Sequence, residues 1–273
     1  MTQVDADPGF AMLTAKISAE RGFGCASYKE KCLRRRIAVR MRAKGVHSYA
    51  EYMAVLDREP AEYDRLLDAL TINVTKLFRN WETFDSIRRN VVPALWATGM
   101  PIRAWSAGCS SGEETYSLAA LFHAYAEERG EGMRLGTRLT VIGTDIDRES
   151  LAAAARGSYE EAAFADTPVE LRRRYFTPAP PHEVVPELRQ VTRFERRDLL
   201  REPAPGSAFQ LITCRNVIIY FDRGTQETLF ERFYDALSPG GYLVLGKVET
   251  LLGTARSRFA AVDARERIFR RPA

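Results

Sequence analysis

A segment rich in glycine and serine is the first place where residue types and spacing could do chemistry. It runs from Trp105 to Glu114 with the sequence WSAGCSSGEE, between a short apolar stretch and a helix-like one. Glycines at a strand-to-helix turn let the backbone approach a ligand closely, and the free N–H groups that open the helix favour polar ligands there. The segment therefore predicts a cofactor loop, although tight turns use glycine without any ligand as well.

The same residues satisfy the pattern G-x-S-x-G, with Ser110 as the nucleophile of a serine hydrolase. Such a triad needs an acid and then a histidine further along the chain, and His123 and His182 are the histidines that follow. His123 falls inside the helix that begins at the turn, and His182 lies in a proline-rich loop. The preceding segment is also helical, where hydrolases of this kind place strands, so we disfavour a hydrolase.

Acidic side chains follow two predicted strands. An acid at the end of the second strand of an α/β cofactor site bonds ribose hydroxyls, and Asp145 and Asp147 stand at that place. Asp147 also precedes a helix-like stretch and is expected to cap it, which leaves Asp145 for the ribose. Asp198 could accept a hydrogen bond from an adenine amino group, but aspartate is common in loops.

Two further polar segments complete the candidate site. Asn216 and Tyr220 lie in CRNVIIYFD, after a predicted strand, and ligands of open α/β sheets bind beyond the carboxyl ends of the strands. The segment TINVTKLFR, residues 71–79, stands at the junction between two parts of the chain with different texture. Its simpler interpretation is a helix end followed by a linker.

The elements that must position these residues change near residue 100. Helical periods occur before it, for example in Leu33, Ile37 and Met41, which are four residues apart. Strands then alternate with helices, which predicts a mostly parallel sheet with helices on both faces. The predicted strands are 102–107, 138–144, 209–214 and 241–246, with a hairpin of 259–262 and 267–271 at the end. We expect a helical domain with its linker over 1–90 and an α/β domain over 91–273, with a short insertion near 177–195.

Composition excludes several classes of protein. The chain of 273 residues is 45% hydrophobic and 28% charged, as in a globular protein with a real core. No apolar run reaches the ~18–20 residues that span a bilayer, and no signal-peptide pattern opens the sequence. Four cysteines without a CxxC pair and three histidines disfavour a disulfide framework or a metal site. We therefore expect a cytoplasmic protein with reduced thiols, no metal and no membrane insertion.

Taken in order, these five segments resemble the chemotaxis receptor methyltransferases, the CheR family, and the resemblance extends over about residues 10–271. Four of them give the specific combination. They are T-x-N-x-T-x-x-F-R, W-S-A-x-x-S-x-G-E-E-x-Y-S, D-I-D and C-R-N-V-x-I-Y-F-D, beginning at Thr71, Trp105, Asp145 and Cys214. The resemblance implies an α/β fold: a class I, Rossmann-like S-adenosylmethionine-dependent methyltransferase domain with a small all-helical N-terminal domain.

The resemblance also implies an activity. S-Adenosylmethionine would be the cofactor and S-adenosylhomocysteine the product, and the methyl group would pass to glutamate carboxylates of chemoreceptors, giving methyl esters in sensory adaptation. The protein would act as a monomer and would not bind nucleic acid. The alternative is a regulatory module of the same fold that senses the cofactor without turnover.

Roles for individual residues follow from the matching motif positions. Glu114 would face the methionine amino group, Asp145 the ribose and Asp198 the adenine, where the family often has Asn. Arg79 and Tyr220 would be catalytic, orienting the acceptor carboxylate, which is ionised at neutral pH because the reference pKa of Glu is ~4.3. The residues expected at the cofactor are Asn73, Thr75, Arg79, Gly108, Glu114, Asp145, Asp198, Arg215 and Asn216.

The chain departs from the family in several places. Best-known members have alanines at Gly108-Cys109, an arginine at Pro178 and the triplet H-S-E at Lys247–Glu249. The family's insertion, which in some members grips a pentapeptide at the receptor C-terminus, is short here, and we expect recognition without that tether. Asn80–Phe84 (NWETF) spells this pentapeptide inside the chain, where we expect Asn80 to cap a helix.

Charge is concentrated in one segment. The net charge is +4, yet residues 29–44 hold eight basic side chains and one acid, Glu30. A solvated helix face is the simplest interpretation, and a nucleic-acid site lacks aromatic interleaving here. Under the family resemblance, Arg36, Arg40 and Lys44 would instead bind the substrate, steering an acidic receptor helix by complementary charge.

Overall fold

The computed structural model describes residues 7–71 and 75–273, which divide into two compact units. The helical unit contains the described residues up to Thr71 together with Tyr220–Thr225, and the sheet unit contains the rest. The described residues from Thr75 onward belong to the sheet unit, and the helices on either side of Ile87–Val91 pack into its core.

Four helices build the helical unit: α1 (Pro8–Arg21), α2 (Glu30–Ala43), α3 (Tyr49–Arg58) and α4 (Pro60–Leu70). Side-chain caps begin two of them: Asp7 accepts hydrogen bonds from the first turn of α1, and Ser48 and Glu51 form a capping box on α3. Leu33, Ile37 and Met41 are buried on one face of α2, as their spacing predicts.

The helices of the sheet unit begin right after the junction. They are α5 (Trp81–Ser86), α6 (Val92–Ala97), α7 (Glu113–Glu128), α8 (Leu135–Arg138), α9 (Arg148–Arg156), α10 (Val169–Tyr175), α11 (Pro186–Val191), α12 (Arg223–Ala236) and α13 (Ala255–Arg258). The first three residues of α12 belong to the helical unit. No helix in the described part of the chain is long and apolar enough to cross a membrane.

A seven-stranded sheet forms the centre of the sheet unit, in the order β5-β2-β1-β6-β7-β9-β8. Its strands are β1 (Ile102–Ala107), β2 (Leu139–Asp145), β5 (Thr192–Arg196), β6 (Phe209–Cys214), β7 (Leu237–Leu245), β8 (Ala260–Asp263) and β9 (Ile268–Arg270). The pairs from β5 to β7 are parallel, and β9 pairs antiparallel with β7 and β8. The mostly parallel sheet and the terminal hairpin are thus confirmed.

A separate two-stranded sheet pairs β3 (Ser158–Tyr159) with β4 (His182–Glu183), and of these two strands only β4 lies within the range expected for the insertion, 177–195. In the main sheet the strand order reverses between β1 and β6, since the chain continues outward to one side from β1 and to the other from β6. Ligands of doubly wound sheets bind at such a switch point, beyond the carboxyl ends of the strands. The loops after β1, β2, β6 and β7 are therefore the ones to inspect.

Candidate functional site

The loop after β1 is held against the end of β2. The N–H groups of Gly108 and Cys109 both donate to the carbonyl oxygen of Thr144, at 2.8 and 2.9 Å. Gly108 has a φ of +79°, and a Cβ atom there would lie 2.5 Å from a methyl carbon of Val217. Glycine is required at this position on both counts, so the loop is built around Gly108 and is packed directly on the loop after β6.

Asp145 receives the next turn of the same loop. Its two carboxylate oxygens accept the N–H groups of Ser110 at 2.8 Å and of Asp147 at 3.0 Å. Burial raises the pKa of Asp145, although these N–H groups favour its charged form. The neighbouring Asp147 caps α9, accepting from Glu149 N at 2.8 Å, which confirms the cap. Asp145 thus has a fixed orientation and spare acceptor capacity at the end of β2.

Glu114, in the first turn of α7, is fixed by three side chains. One carboxylate oxygen accepts the hydroxyls of Ser106 at 2.8 Å and Thr213 at 2.5 Å, and the other pairs with Arg215 at 3.3 Å. The two hydroxyls come from β1 and β6, the strands on either side of the switch point. A carboxylate is therefore presented at the centre of the crevice with its orientation set.

Arg215 connects this carboxylate to the segment before α5. Its Nη2 donates to the backbone oxygen of Arg79 at 2.8 Å and to Asn80 Oδ1 at 3.3 Å, and the guanidinium lies 5.1 Å from the centre of the Phe84 ring. The side chain is buried, and its Nε has no hydrogen-bond partner among the described residues. Arg215 therefore orients Glu114 and the backbone of Arg79.

Asn80 does not cap α5 with its side chain. The helix begins at Trp81 as predicted, but Asn80 has a φ of +59° and makes no capping bond, because its side-chain oxygen faces Arg215. Thr83 and Phe84 are buried in the sheet unit. The last two residues of NWETF are thus part of the core, and the threonine donates to Glu266 at 2.7 Å, whereas Glu82 is exposed.

Asp198 opens a turn after β5. One carboxylate oxygen accepts Leu200 N at 2.8 Å, and the N–H of the preceding Arg197 donates to the Asp145 carbonyl at 2.8 Å. The hydrogen bond of Arg197 therefore holds the neighbouring Asp198 near the carboxyl end of β2, where the cofactor site is expected. Thr75 is half-buried, and the predicted Asn73 lies outside the described residues.

Glu249 lies against the loop after β6, and our sequence analysis did not place it near the site. Its buried carboxylate accepts four backbone N–H groups: Asn216 at 3.0 Å, Val217 at 3.0 Å, Ile219 at 3.3 Å and Gly246 at 2.6 Å. Burial raises the pKa of Glu249, with the four N–H groups acting in the opposite direction. The sequence did carry a signal, because Glu249 is an acid just beyond the predicted strand 241–246. We noted it only as the last residue of the triplet Lys247–Glu249.

Tyr220 belongs to the helical unit together with the segment up to Thr225. Its carbonyl oxygen accepts Lys29 N at 2.8 Å, and the Arg36 guanidinium lies 4.5 Å from the centre of its ring. Asp222 N donates to Ser27 O at 3.0 Å, which extends the attachment. The aromatic residue expected at the transferring methyl group is therefore anchored to the start of α2.

The basic side chains expected to meet the substrate do not form an open face. Arg36 is buried and donates to the Leu70 carbonyl. Arg40 makes two hydrogen bonds, at 2.9 and 2.7 Å, to the fully buried Glu62, and Lys44 pairs with Glu59 at 2.6 Å. Helix packing explains the correction, since a four-residue spacing that starts at Arg36 follows the side of α2 that turns toward α4.

A different stripe of α2 is exposed. Lys31, Arg35 and Arg42 are exposed, and no ion pair involves any of them among the described residues. Val39, which is 48% exposed, lies between Arg35 and Arg42 on the same stripe. We call Lys31, Arg35, Val39 and Arg42 the outer stripe of α2.

The residues at the switch point can be tested against a cofactor. Glu114 and Asp145 bring two carboxylates to the loop, which suits a ligand with an amino group and ribose hydroxyls and opposes a pyrophosphate. The Ser110 hydroxyl is buried beside Asp145 with no hydrogen-bond partner in the described chain, so a polar group fits there. No group of metal-ligating side chains occurs among the described residues. These features fit S-adenosylmethionine.

Comparison with known proteins identifies the same two parts. The model described as "CheR methyltransferase, all-alpha domain" matches residues 8–71, and that described as "CheR methyltransferase, SAM binding domain" matches residues 73–268.

Sequence similarity to curated relatives covers most of the chain. A chemotaxis protein methyltransferase of Listeria innocua is 32% identical over 95% of this chain and 96% of its own length, and chemotaxis protein methyltransferase 2 of Pseudomonas aeruginosa is 32% identical over 89% and 86%. An uncharacterized 104.1 kDa protein of Rhodobacter capsulatus is 35% identical over 89% of this chain, which spans 25% of that protein. Since both units match in order and S-adenosylmethionine fits the switch-point loops, the chain belongs to the CheR methyltransferase family and uses S-adenosylmethionine as its cofactor.

Proposed function

We propose that the protein is a protein-glutamate O-methyltransferase that transfers the methyl group of S-adenosylmethionine to glutamate carboxylates of chemoreceptors. The observation that carries the proposal is the carboxylate of Glu114, which Ser106, Thr213 and Arg215 fix at the switch point of a family-matched sheet. The names of the relatives supply the substrate class. Chemoreceptor methylation would place the protein in the cytoplasm.

Methyl transfer to a carboxylate needs no general acid or base from the protein. S-Adenosylmethionine supplies an electrophilic methyl group on its sulfonium sulfur. The acceptor glutamate is ionised near neutral pH, since its reference pKa is ~4.3, so no residue has to remove a proton. What remains for the protein is to align the carboxylate with the methyl group and to exclude water.

The described residues divide this work. Glu114 binds the amino group of the cofactor, and Asp145, held by Ser110 N and Asp147 N, binds the ribose hydroxyls. Asp198 contributes at the adenine. Arg79 and Tyr220 orient the acceptor carboxylate. A Tyr220→Phe enzyme that keeps both its affinity for the cofactor and its full rate would remove Tyr220 from this role.

Substrate recognition is assigned to the outer stripe of α2. Its three exposed cations are available to an acidic receptor helix, whereas Arg40 and Lys44 are neutralised within the helical unit. Complementary charge raises the rate of association and is screened by salt. We therefore transfer the steering role proposed for Arg36, Arg40 and Lys44 to Lys31, Arg35 and Arg42.

A charge-neutralising series tests this assignment. The triple variant Lys31→Gln, Arg35→Gln, Arg42→Gln should raise KM for receptor helices at low salt and approach wild type at high salt, with unchanged affinity for S-adenosylhomocysteine. Arg134→Gln, Arg173→Gln, Arg193→Gln is the matched control, because it removes three exposed charges from the sheet unit. Equal KM values for both triple variants at low salt would contradict the assignment.

The activity itself is tested by transfer of a labelled methyl group. Purified protein, labelled S-adenosylmethionine and the helical methylation region of a chemoreceptor should give base-labile methyl esters on glutamate. Calorimetry with S-adenosylhomocysteine runs in parallel. Binding without transfer to any receptor would favour the cofactor-sensing module instead, and transfer to a different acceptor would overturn glutamate as the substrate.

A further inference from the structure

The loop between β6 and the helical turn at Ile218 has an unusual shape. Asn216 has a φ of +61°, which an L-residue with a side chain rarely adopts, so its surroundings must impose it. Val217 packs on Gly108, where even one added carbon would lie 2.5 Å from its methyl group. The conformation of this loop therefore decides how the cofactor loop after β1 is supported.

The backbone N–H groups of this loop converge on a single carboxylate. Glu249 accepts from Asn216, Val217 and Ile219, and it also accepts from Gly246 at the end of β7. Buried N–H groups need acceptors, and a buried carboxylate needs compensating donors. No lysine, arginine or histidine forms an ion pair with Glu249 within the described ranges, so four N–H dipoles compensate its charge.

Gly246 is part of the same arrangement. A Cβ atom at this position would lie 2.7 Å from Glu249 Oε2 and 2.9 Å from Asn216 N. Moving a side chain would not relieve both contacts, because Asn216 N is a backbone atom. Glycine at 246 thus lets the carboxylate reach the loop after β6.

We propose that Glu249 is a positioning residue for the cofactor site: its carboxylate sets the backbone of the loop after β6, and through Val217 and Gly108 that of the loop after β1. Glu249 acts through the backbone of other residues and need not touch the reacting atoms. The inference depends on the use of S-adenosylmethionine and is independent of glutamate as the methyl acceptor.

Amide exchange in the wild-type protein gives the first test. The N–H groups of Asn216, Val217 and Ile219 lie outside the sheet hydrogen bonds, yet each donates to Glu249. Nuclear magnetic resonance should show exchange at least about a hundredfold slower than for unprotected amides, since opening requires breaking these bonds. Exchange at the unprotected rate would overturn the proposal without any variant.

A neutral, nearly isosteric substitution gives the second test. Glu249→Gln places an amide donor against N–H donors, so it should speed exchange at residues 216–219 and weaken S-adenosylhomocysteine binding by about tenfold or more. Glu266→Gln is the control, because Glu266 is an equally buried carboxylate that bonds to Thr83 and pairs with Lys247 and Arg265 instead of the N–H groups of the loop after β6. The control should keep its affinity within about twofold. Equal losses in both variants would contradict a specific role for Glu249.

A backbone substitution tests the same arrangement with the carboxylate retained. Gly246→Ala should reproduce the loss of affinity, because the added carbon displaces the carboxylate from Asn216 N. Gly136→Ala, where an added carbon meets no atom within 4 Å, is its control. Unchanged affinity in a folded Gly246→Ala protein would overturn the proposal.

Discussion

Two acids two residues apart, Asp145 and Asp147, have different tasks. Asp145 holds Ser110 N and its own turn, whereas Asp147 caps α9. Asp145→Ala should therefore weaken S-adenosylhomocysteine binding by about tenfold or more in calorimetry, because it removes a proposed ribose acceptor and releases the loop after β1.

Asp147→Ala is the control for this substitution. It should cost about 1 kcal/mol of the free energy of unfolding, the usual cost of losing an N-cap, and leave the affinity unchanged. Urea unfolding measures the first quantity and calorimetry the second. If Asp147→Ala lost affinity as strongly as Asp145→Ala, the division of roles between the two acids would be wrong.

Glu113, next to Glu114, should make the free energy of unfolding depend on pH. Its carboxyl group is buried and bonded to the Ser111 hydroxyl, and burial raises its pKa from 4.5 to about 6. A raised pKa means that the folded state holds the proton more tightly, so the contribution of Glu113 to stability falls as pH rises from about 4.5 to about 6. Above that window the ionised group costs on the order of 2 kcal/mol.

Glu113→Gln should remove this cost and keep a hydrogen-bond acceptor for Ser111. The variant is expected to gain stability over wild type as pH rises from 4.5 to 6, with a constant difference at higher pH. Thermal unfolding of both proteins across pH 4 to 8 measures it. A stability difference that does not change with pH would show that Glu113 titrates normally in the fold.

At the scale of elements, the ion pair between Arg40 and Glu62 joins α2 to α4. Burial favours the neutral acid, but hydrogen bonds from Arg40 and the Tyr52 hydroxyl outweigh it and lower the pKa of Glu62. Arg40→Met would leave a buried carboxylate with little compensation. We expect a loss of about 3 kcal/mol in the free energy of unfolding, measured with urea.

Arg42→Met is the matched control, since Arg42 lies on the exposed stripe of the same helix. Its effect on stability should stay within about 0.5 kcal/mol. Similar losses for both variants would mean that the pair with Glu62 contributes no more than an exposed arginine.

Hydrophobic periodicity predicted the helices and strands that bury one face or both faces in a core. Strands β1 and β6 match the predicted ranges, and helix α9 follows Asp147 as expected, because their apolar residues face a core. Strand β5 was missed: Thr192–Arg196 is charged and partly exposed at the sheet edge, so its pairing with β2, rather than its own pattern, makes it a strand.

The candidate site was only partly predictable for a similar reason. Spacing locates Glu114 and Asp145 at strand ends, but it cannot show that Glu249, far along the chain, collects the N–H groups of the loop after β6. Spacing also cannot tell which side of α2 packs against α4. That is why Arg36 and Arg40 were taken for surface residues, whereas Lys31 and Arg42 are the exposed ones.

At the scale of the whole molecule, the chain enters the helical unit twice. Tyr220–Thr225 interrupts the sheet unit and bonds to the start of α2, through Lys29 N to Tyr220 O and Asp222 N to Ser27 O. A proposed catalytic side chain, Tyr220, therefore depends on the stability of a unit other than the one that holds Glu114 and Asp145. Loss of the helical unit should then affect transfer before it affects binding of the cofactor.

Leu66→Ala tests this dependence, because Leu66 is fully buried in the core of the helical unit. The substitution should lower the free energy of unfolding of the helical unit by about 2–5 kcal/mol. Amide exchange should then speed up at Lys29 and Asp222, whereas Ser110 N, bonded to Asp145 in the sheet unit, should keep its protection and S-adenosylhomocysteine its affinity. Equal loss of protection at all three amides would show instead that the two units unfold as one, so that no variant of the helical unit could separate methyl transfer from binding of the cofactor.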